Sequence, residues 1–516
     1  MDTKALRQKI LDLAIRGKLV PQDPNDEPAS ALLERIRDQK QQMVKEGKIK
    51  KKDIKNDSVI FVGEDNLHYE KFADGSVKCI EDEIPFELPE GWSWTRIFSI
   101  TEDLPYGTAK KSLPTGLVAV LRMGNIQSGE IDYSDLVYSS DGDDIVKYTL
   151  IKNDLLFNRT NSAEWVGKTA IYRGNMPAIY AGYLIRIRTF INAEYLNVVM
   201  NSGYAKSYCN SVKTDGVNQS NINAQKLGNF LVPIPSFGEQ YRISSSIADI
   251  LPRISIIQDE KDYITDLIQK TKSKILDLAI RGQLVPQNPD DEPASALLER
   301  IRAEKKELIK QGKIKRDKKE SIIFKGEDNS YYDDIPDGWE ICYLGELFNV
   351  CSAKRVKQSD WRTEGVPFYR AREIVKLSNN DFVDNELYIS EDHYQQVKKE
   401  YGIPQPGDLM VSGVGTIGKV YVVKDTDHFY YKDASVLCFE NRNGIIDSQY
   451  AKYMLMSEFI QNQMRENSKG TTVDTITIST AMNYICFVPP ANEQKRIVSA
   501  IEQILNHLKI IELALL

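Results

Sequence analysis

After Glu239-Gln240 the apolar positions settle into a four-three rhythm: Ile243, Ile247, Ile250, Ile254, Ile257, Ile264, Ile268, Ile275 and Leu278, with Lys261 and Thr271 at the two interrupted positions. That spacing is the seam of a coiled coil and predicts a long helix with one apolar edge turned to a partner helix. Pro252 lies off the seam but has no amide hydrogen, so a kink or break is expected there. The C-terminus repeats the first part of the rhythm at an offset of 254 residues, in Ile497, Ile501, Ile504, Leu508, Ile511 and Leu515. The N-terminus repeats the last part at an offset of 265, in Leu6, Ile10 and Leu13. Together the two ends rebuild what the central segment holds continuously. The expectation is that they lie side by side and that the central helix pairs antiparallel with a composite terminal one about a pseudo-two-fold axis.

The rhythm belongs to a larger duplication. KILDLAIRGKLVPQDPNDEPASALLERIR at residues 9–37 and KILDLAIRGQLVPQNPDDEPASALLERIR at 274–302 agree at 26 of 29 positions, differing only at Lys18/Gln283, Asp23/Asn288 and Asn25/Asp290. Weaker echoes follow each copy in the same order. Gly63-Glu64-Asp65-Asn66 matches Gly326-Glu327-Asp328-Asn329, and Pro89-Glu90-Gly91-Trp92 matches Pro336-Asp337-Gly338-Trp339. Asp154-Leu155-Leu156 matches Asp408-Leu409-Met410, Gly167-Lys168 matches Gly418-Lys419, and Glu239-Gln240 with Arg242-Ile243 matches Glu493-Gln494 with Arg496-Ile497. Asp26-Glu27-Pro28 and Asp291-Glu292-Pro293 read as helix starts, with an acidic first turn and proline near the first helical position. Ten Lys and Arg fall between Arg300 and Lys319, as a solvated helix face or as a contact to phosphates or a partner.

The fold class expected is α+β: two mixed α/β domains joined by long antiparallel coiled-coil helices. The segments are 1–56, an N-terminal helical repeat; 57–236, a first individual domain; 237–320, the central coiled-coil helix and second helical repeat; 321–490, a second individual domain; and 491–516, a C-terminal coiled-coil helix. Identical frames bind identical partners, because equal side chains offer equal contacts, whereas the diverged domains read different things. Arg16/Arg281, Glu34/Glu299 and Arg35/Arg300, on the solvent side of the repeat, are the candidate partner contacts.

Composition narrows the chemistry. With 516 residues and 41% hydrophobic content the chain can bury several cores. It has no run of the roughly 18 apolar residues that a membrane helix needs, and its first residues lack a secretory signal's apolar stretch. A soluble cytoplasmic protein is expected. The six cysteines contain no CxxC pair and the four histidines are scattered, so no metal site or disulfide framework is expected and the cysteines read as buried free thiols. A net charge of -7 means that any grip on nucleic acid uses local patches or a partner's surface. Gly413–Lys419 matches GxxxxGK, but Val420 stands where a phosphate loop needs Ser or Thr for magnesium, and a strand pattern follows. Pro336-Asp337 before Glu340 lacks the lysine of a PD...ExK nuclease. Pro489-Pro490 is no adenine-methyltransferase motif. No catalytic residue, cofactor or metal is expected.

ILDLAIRGKLVPQ with DEPASALLERI, the ELPEGWSW and DIPDGWEI segments, NDLLFNRT and GDLMVSG, NQSNINAQKLGNFLVPIP and the EQ-x-RI helices resemble, over essentially the whole chain, the specificity subunits of type I restriction-modification systems. The resemblance implies two target-recognition domains, each reading one half of a split, asymmetric sequence in double-stranded DNA. It also implies two adenine-methyltransferase subunits as partners, translocase-nuclease restriction subunits in the full complex, and no catalysis by this chain. Sequence reading needs polar groups presented to base edges, with Lys and Arg fixing register on phosphates. Loop-like residues of that kind in the first domain are Lys110, Lys111, Arg122, Asn125, Arg159, Asn161, Lys168, Thr214, Asn218 and Gln219. In the second they are Lys354, Arg355, Lys357, Arg370, Arg372, Ser412, Lys419, Lys469, Thr471 and Thr472. The competing readings are a self-sufficient DNA-modifying enzyme and a coiled-coil scaffold. The missing methyltransferase motif counts against the first and the two diverged domains against the second. If the central helix is a ruler, lengthening it by one turn changes the gap between half-sites and leaves both half-sites intact. Mapping of methylated bases checks this, and altered bases within a half-site would contradict it.

Overall fold

The computed structural model describes residues 2–162, 165–216, 220–312, 323, 335–441, 444–468 and 473–515, the side chain of residue 161 excepted. They divide into two compact units, Met1–Glu260 and Lys261–Leu516. Helix Phe237–Ile280 contributes its first 24 residues to the first unit and the remainder to the second. The echoes Gly326 to Asn329 and five of the ten basic residues, Lys313, Lys315, Arg316, Lys318 and Lys319, lie outside the described residues.

In the first unit, helix Thr3–Ile15 runs antiparallel to the start of the long helix. Thr3 donates to Gln258, while Leu11, Ala14 and Ile15 share a core with Ile243 and Ile247. Strand Leu155–Asn158 lies between Leu184–Ile187 and Thr169–Ile171, all antiparallel, and a parallel pair joins Val118–Leu121 to Ala178–Tyr180. These strands are buried on both faces, so their residues show no in–out alternation, and Asn158, Thr169 and Arg186 are buried with their apolar neighbours. Strand Ser93–Arg96 pairs antiparallel with Leu231–Ile234, closing the domain at its chain ends.

The second unit repeats this plan. Leu409–Ser412 lies between Val436–Glu440 and Val420–Val422, Val366–Tyr369 pairs parallel with Tyr430–Tyr431, and Glu340–Tyr343 pairs antiparallel with Ile485–Val488. Helix Ala491–Leu515 runs antiparallel to the end of the long helix: Ile497 and Ile501 share a core with Ile275 and Ala279, and Glu512 bonds Lys272 at 2.7 Å. The halves differ by insertion. Residues 67–88 separate the GEDN echo from the PEGW echo in the first half, against 330–335 in the second. The longer stretch carries strands His68–Phe72 and Val77–Cys79 of a meander with Ser58–Val62.

The repeated landmarks form one clamp, built twice. The Trp92 indole donates to Glu239 Oε2 at 3.0 Å, and the Trp339 indole to Glu493 Oε2 at 3.1 Å. Gln240 accepts from the Asn192 amide at 3.0 Å, and Gln494 from the Asp447 amide at 2.9 Å. Each glutamine also donates to a proline carbonyl, that of Pro235 or Pro489. Arg242 pairs with Asp26 and Arg496 with Asp291, both at 2.6 Å. Gly17 and Gly282 adopt φ of +64° and +67°, and a Cβ there would meet Pro89 and Pro336 at 2.5 and 2.3 Å. The invariant Arg-Gly step of the repeat is therefore a left-handed turn tucked under the proline that opens each domain.

Three expectations are corrected. Pro28 and Pro293 are N-caps, one residue before the helices Ala29–Lys45 and Ala294–Lys310. The acidic residues precede the helices and pair with Arg242, Arg35, Arg496 and Arg300. Helix Phe237–Ile280 is not broken at Pro252: one lost amide donor is outweighed by burial of Ile247 and Ile254 on either side. All six cysteines are free, but Cys79 is exposed, because it lies on the edge strand of the meander.

Burial holds the carboxyls of Glu239 and Glu493 above their ordinary range, against the opposing pull of the indole hydrogen bond at Glu239 and of hydrogen bonds from Gln287 and the indole at Glu493. A carboxyl whose folded value is raised favours the folded state while protonated, and that contribution is lost as pH rises from the unfolded value through the folded one. Stability measured by denaturant unfolding should fall across that acidic window. Glu239→Gln and Glu493→Gln should each flatten the slope, and an unchanged slope in both would contradict the assignment.

Candidate nucleic-acid interface

Strand direction decides where the loop residues go. In the first unit the parallel pair Tyr180↔Leu121 ends both strands on one side, and the Ala181 amide donates to the Leu121 carbonyl at 2.9 Å. The antiparallel neighbours Asn158↔Leu184 and Phe157↔Thr169 bring the end of Leu155–Asn158 beside the starts of the other two strands. Arg122, Arg159 and Lys168, each next to one of these ends, therefore leave the domain at one edge. In the second unit the equivalent pairs are Tyr369↔Tyr431, Ser412↔Val436, Val411↔Val420 and Ser352↔Leu437. Arg370, Ser412, Lys419 and, two residues beyond Ser352, Lys354 follow the same rule.

Individual side chains at these edges are held in different ways. Arg122 bonds Asp135 at 2.8 Å, and Lys110 reaches Asp141 at 2.6 Å and Asp144 at 3.4 Å. Asn125 is buried: it accepts from the Arg122 amide and donates to the carbonyls of Asp132 and Asp135, so its amide shapes the turn that carries Arg122. Arg159 lies 4.6 Å over the Tyr106 ring and donates to Asn221, and Lys168 sits 3.4 Å over the Trp165 ring and bonds Gln127 at 3.2 Å. Burial lowers the Lys168 ammonium from its ordinary value. Thr214 is exposed and accepts from Lys226 at 2.7 Å.

In the second unit Arg370 and Arg372 share Glu373 and Glu386, which fixes both guanidinium groups beside the strand end. Ser412 is buried, accepting from the Lys419 amide at 2.9 Å and donating to the Thr416 carbonyl. The GxxxxGK segment is thus a tight hairpin, closed by the Gly418 amide on the Ser412 carbonyl, and in the first unit the Gly167 amide returns likewise to the Asn158 carbonyl. Lys354 stacks on Tyr401, and Lys111, Arg355 and Lys357 are exposed. Asn218, Gln219, Lys469, Thr471, Thr472 and the Asn161 side chain lie outside the described residues.

On the repeated frame Arg16 bonds Asp12 at 3.0 Å and covers the Phe86 ring, while Glu34 faces Arg37 at 3.5 Å. Arg35 pairs with Glu27 as Arg300 does with Glu292, and Arg281 and Glu299 are exposed. Among the described residues no group of His, Cys, Asp or Glu is arranged to hold a metal ion. Nor is any helix there long and apolar enough to cross a membrane. Sequence reasoning, which sought polar groups, missed Tyr106, Trp165 and Tyr183. The signal available was a tryptophan inside an otherwise polar loop.

Two α+β units, each a domain clamped to its own copy of a helical frame, define a duplicated two-domain protein with a cationic strand edge in each half. Residues 336–515 match the family described as type I restriction modification DNA specificity domain. The EcoAI specificity subunit of Escherichia coli is 29% identical over 98% of this chain and 89% of its own length. The EcoEI specificity subunit of the same organism is 26% identical over 97% and 88%. A chain solved in work on complex assembly and conformational transition of the type I R-M system shares the fold, with a TM-score of 0.54 at 18% identity over 84% of this chain and 94% of that one. Over nearly its whole length the chain is thus similar to type I restriction-modification specificity subunits, and its second unit carries the DNA specificity domain of that family.

The side-chain settings separate two kinds of variant. Lys357→Ala should weaken binding to every duplex alike and lower the salt slope by about one. Arg159→Ala should cost about 1–3 kcal/mol at one base position only. Salt-dependent titrations on duplexes with single base changes check both, and an identical profile for the two variants would contradict the edge assignment.

Proposed function

We propose that this chain reads a bipartite, asymmetric sequence in double-stranded DNA, one half-site at the strand edge of each unit, and brings two adenine-methyltransferase subunits to it. Restriction subunits join in the full cytoplasmic complex. The single observation that carries this reading is the pairing of a clamp whose tryptophan, glutamine and arginine bonds recur in both halves with edges that are not repeated. Identical frames suit two copies of one partner, with Arg16, Glu34 and Arg35 on one and Arg281, Glu299 and Arg300 on the other as the contacts. Edges that hold their cations by different neighbours suit two different half-sites. Lys and Arg there would set register on phosphates, and the polar loop groups would meet base edges.

The test is to co-express the chain with the methyltransferase of its own system and map methylated adenines. Two unlike half-sites separated by a fixed gap are expected, and purified chain with S-adenosylmethionine and DNA alone should transfer no methyl group. A single uninterrupted site, or methyl transfer by this chain alone, would overturn the proposal.

A further inference from the structure

The hairpin between strands Leu155–Asn158 and Thr169–Ile171 carries Trp165, whose side chain is 44% exposed although indole is costly to leave in water. Two more exposed rings stand at the same edge, Tyr183 at 47% and Tyr106 at 41%. Backbone and side-chain contacts bind the three to one place. The Arg159 amide donates to the Tyr183 carbonyl at 3.0 Å, Asn158 donates to the Trp165 carbonyl at 3.2 Å, and Arg159 lies over Tyr106. None of the three belongs to the hydrophobic clusters of this unit. Cations occupy one side of two of the rings: Lys168 sits over Trp165 and Arg159 over Tyr106. In the second unit the corresponding hairpin, residues 413–418, carries no aromatic ring, and the exposed ring under a cation is Tyr401, beneath Lys354.

Exposed rings interleaved with cations are what a nucleic-acid surface uses when bases or base steps are contacted by their faces as well as their edges. We infer that Trp165, flanked by Tyr106 and Tyr183, packs against bases of the half-site read by the first unit and determines sequence there. This rests on the DNA-reading role proposed above. A tryptophan in this hairpin belongs to the first unit alone, in keeping with two readers that differ. The simpler role, a shelf that positions Lys168 on a phosphate, has a separate signature: removing a shelf weakens all sequences equally and lowers the salt slope, whereas removing a base contact changes the sequence preference and leaves the slope alone.

The experiment uses the full chain with its methyltransferase, with methylated-base mapping in cells and salt titration of the purified complex on the mapped duplex. Trp165→Ala should relax one or two adjacent positions in only one half-site and weaken binding to the intact target by roughly 10- to 100-fold at unchanged salt slope. Trp165→Phe should restore most of both. Tyr183→Ala, outside the hairpin, should disturb the same half-site and keeps the test open if the first variant does not fold. An unchanged recognition sequence in both alanine variants, or a uniform loss with a lowered salt slope, would overturn the inference. A wild-type map without two half-sites would remove the DNA-reading role itself, and this inference with it.

Discussion

Glu239 and Glu493 are carboxylates that burial should drive out of the protein, and each is kept because an indole N–H reaches it from the first turn of a domain. Beside each, a glutamine caps a backbone amide that opens a helix of the domain, and an arginine one turn along the helix fixes the aspartate before the repeat helix. Helix, domain and repeat therefore meet at one polar joint in each half. A buried network of this kind is unforgiving, since removing any member strands the others without partners. That explains why the joint is retained to the residue in both halves while the sheet between Trp92 and Glu239 has diverged from the one between Trp339 and Glu493.

From the joint, strand direction carries the consequences outward. The chain enters each domain on the strand after the tryptophan and leaves on the strand before the clamp, and these two strands pair antiparallel. The intervening strands then deliver their opposite ends, with Arg122, Arg159 and Lys168 in one half and Lys354, Arg370 and Lys419 in the other, to an edge of the domain free to vary. Frame and reader are separated by topology, so the reader can change loops without disturbing the joint.

Much of the frame was legible from residues alone, because identity over 29 positions and the shared Glu-Gln, Arg-Ile and Gly-Trp steps mark it without any knowledge of contacts. The helix pairing within each unit was legible in the four-three rhythm. What pattern could not supply was partnership across the sheet. Asn125 reads as a surface amide but is spent on backbone carbonyls, and Ser412 is buried in a hairpin, because both depend on neighbours set by register. Cys79 reads as a core thiol, yet lies on an edge strand that only the inserted meander creates. The exposed rings were passed over because aromatic residues are more often core than surface, and only burial distinguishes the two.

The most direct test of this division of labour is the recognition sequence of a chimera in which residues 340–488 replace residues 93–234, with both clamps and both repeats kept. If the joint is a neutral socket, the chimera folds and its methylated sites, mapped with the same methyltransferase, carry the second half-site twice. A folded chimera that keeps the original first half-site would show that the frame, rather than the strand edge, does the reading, and would contradict the account.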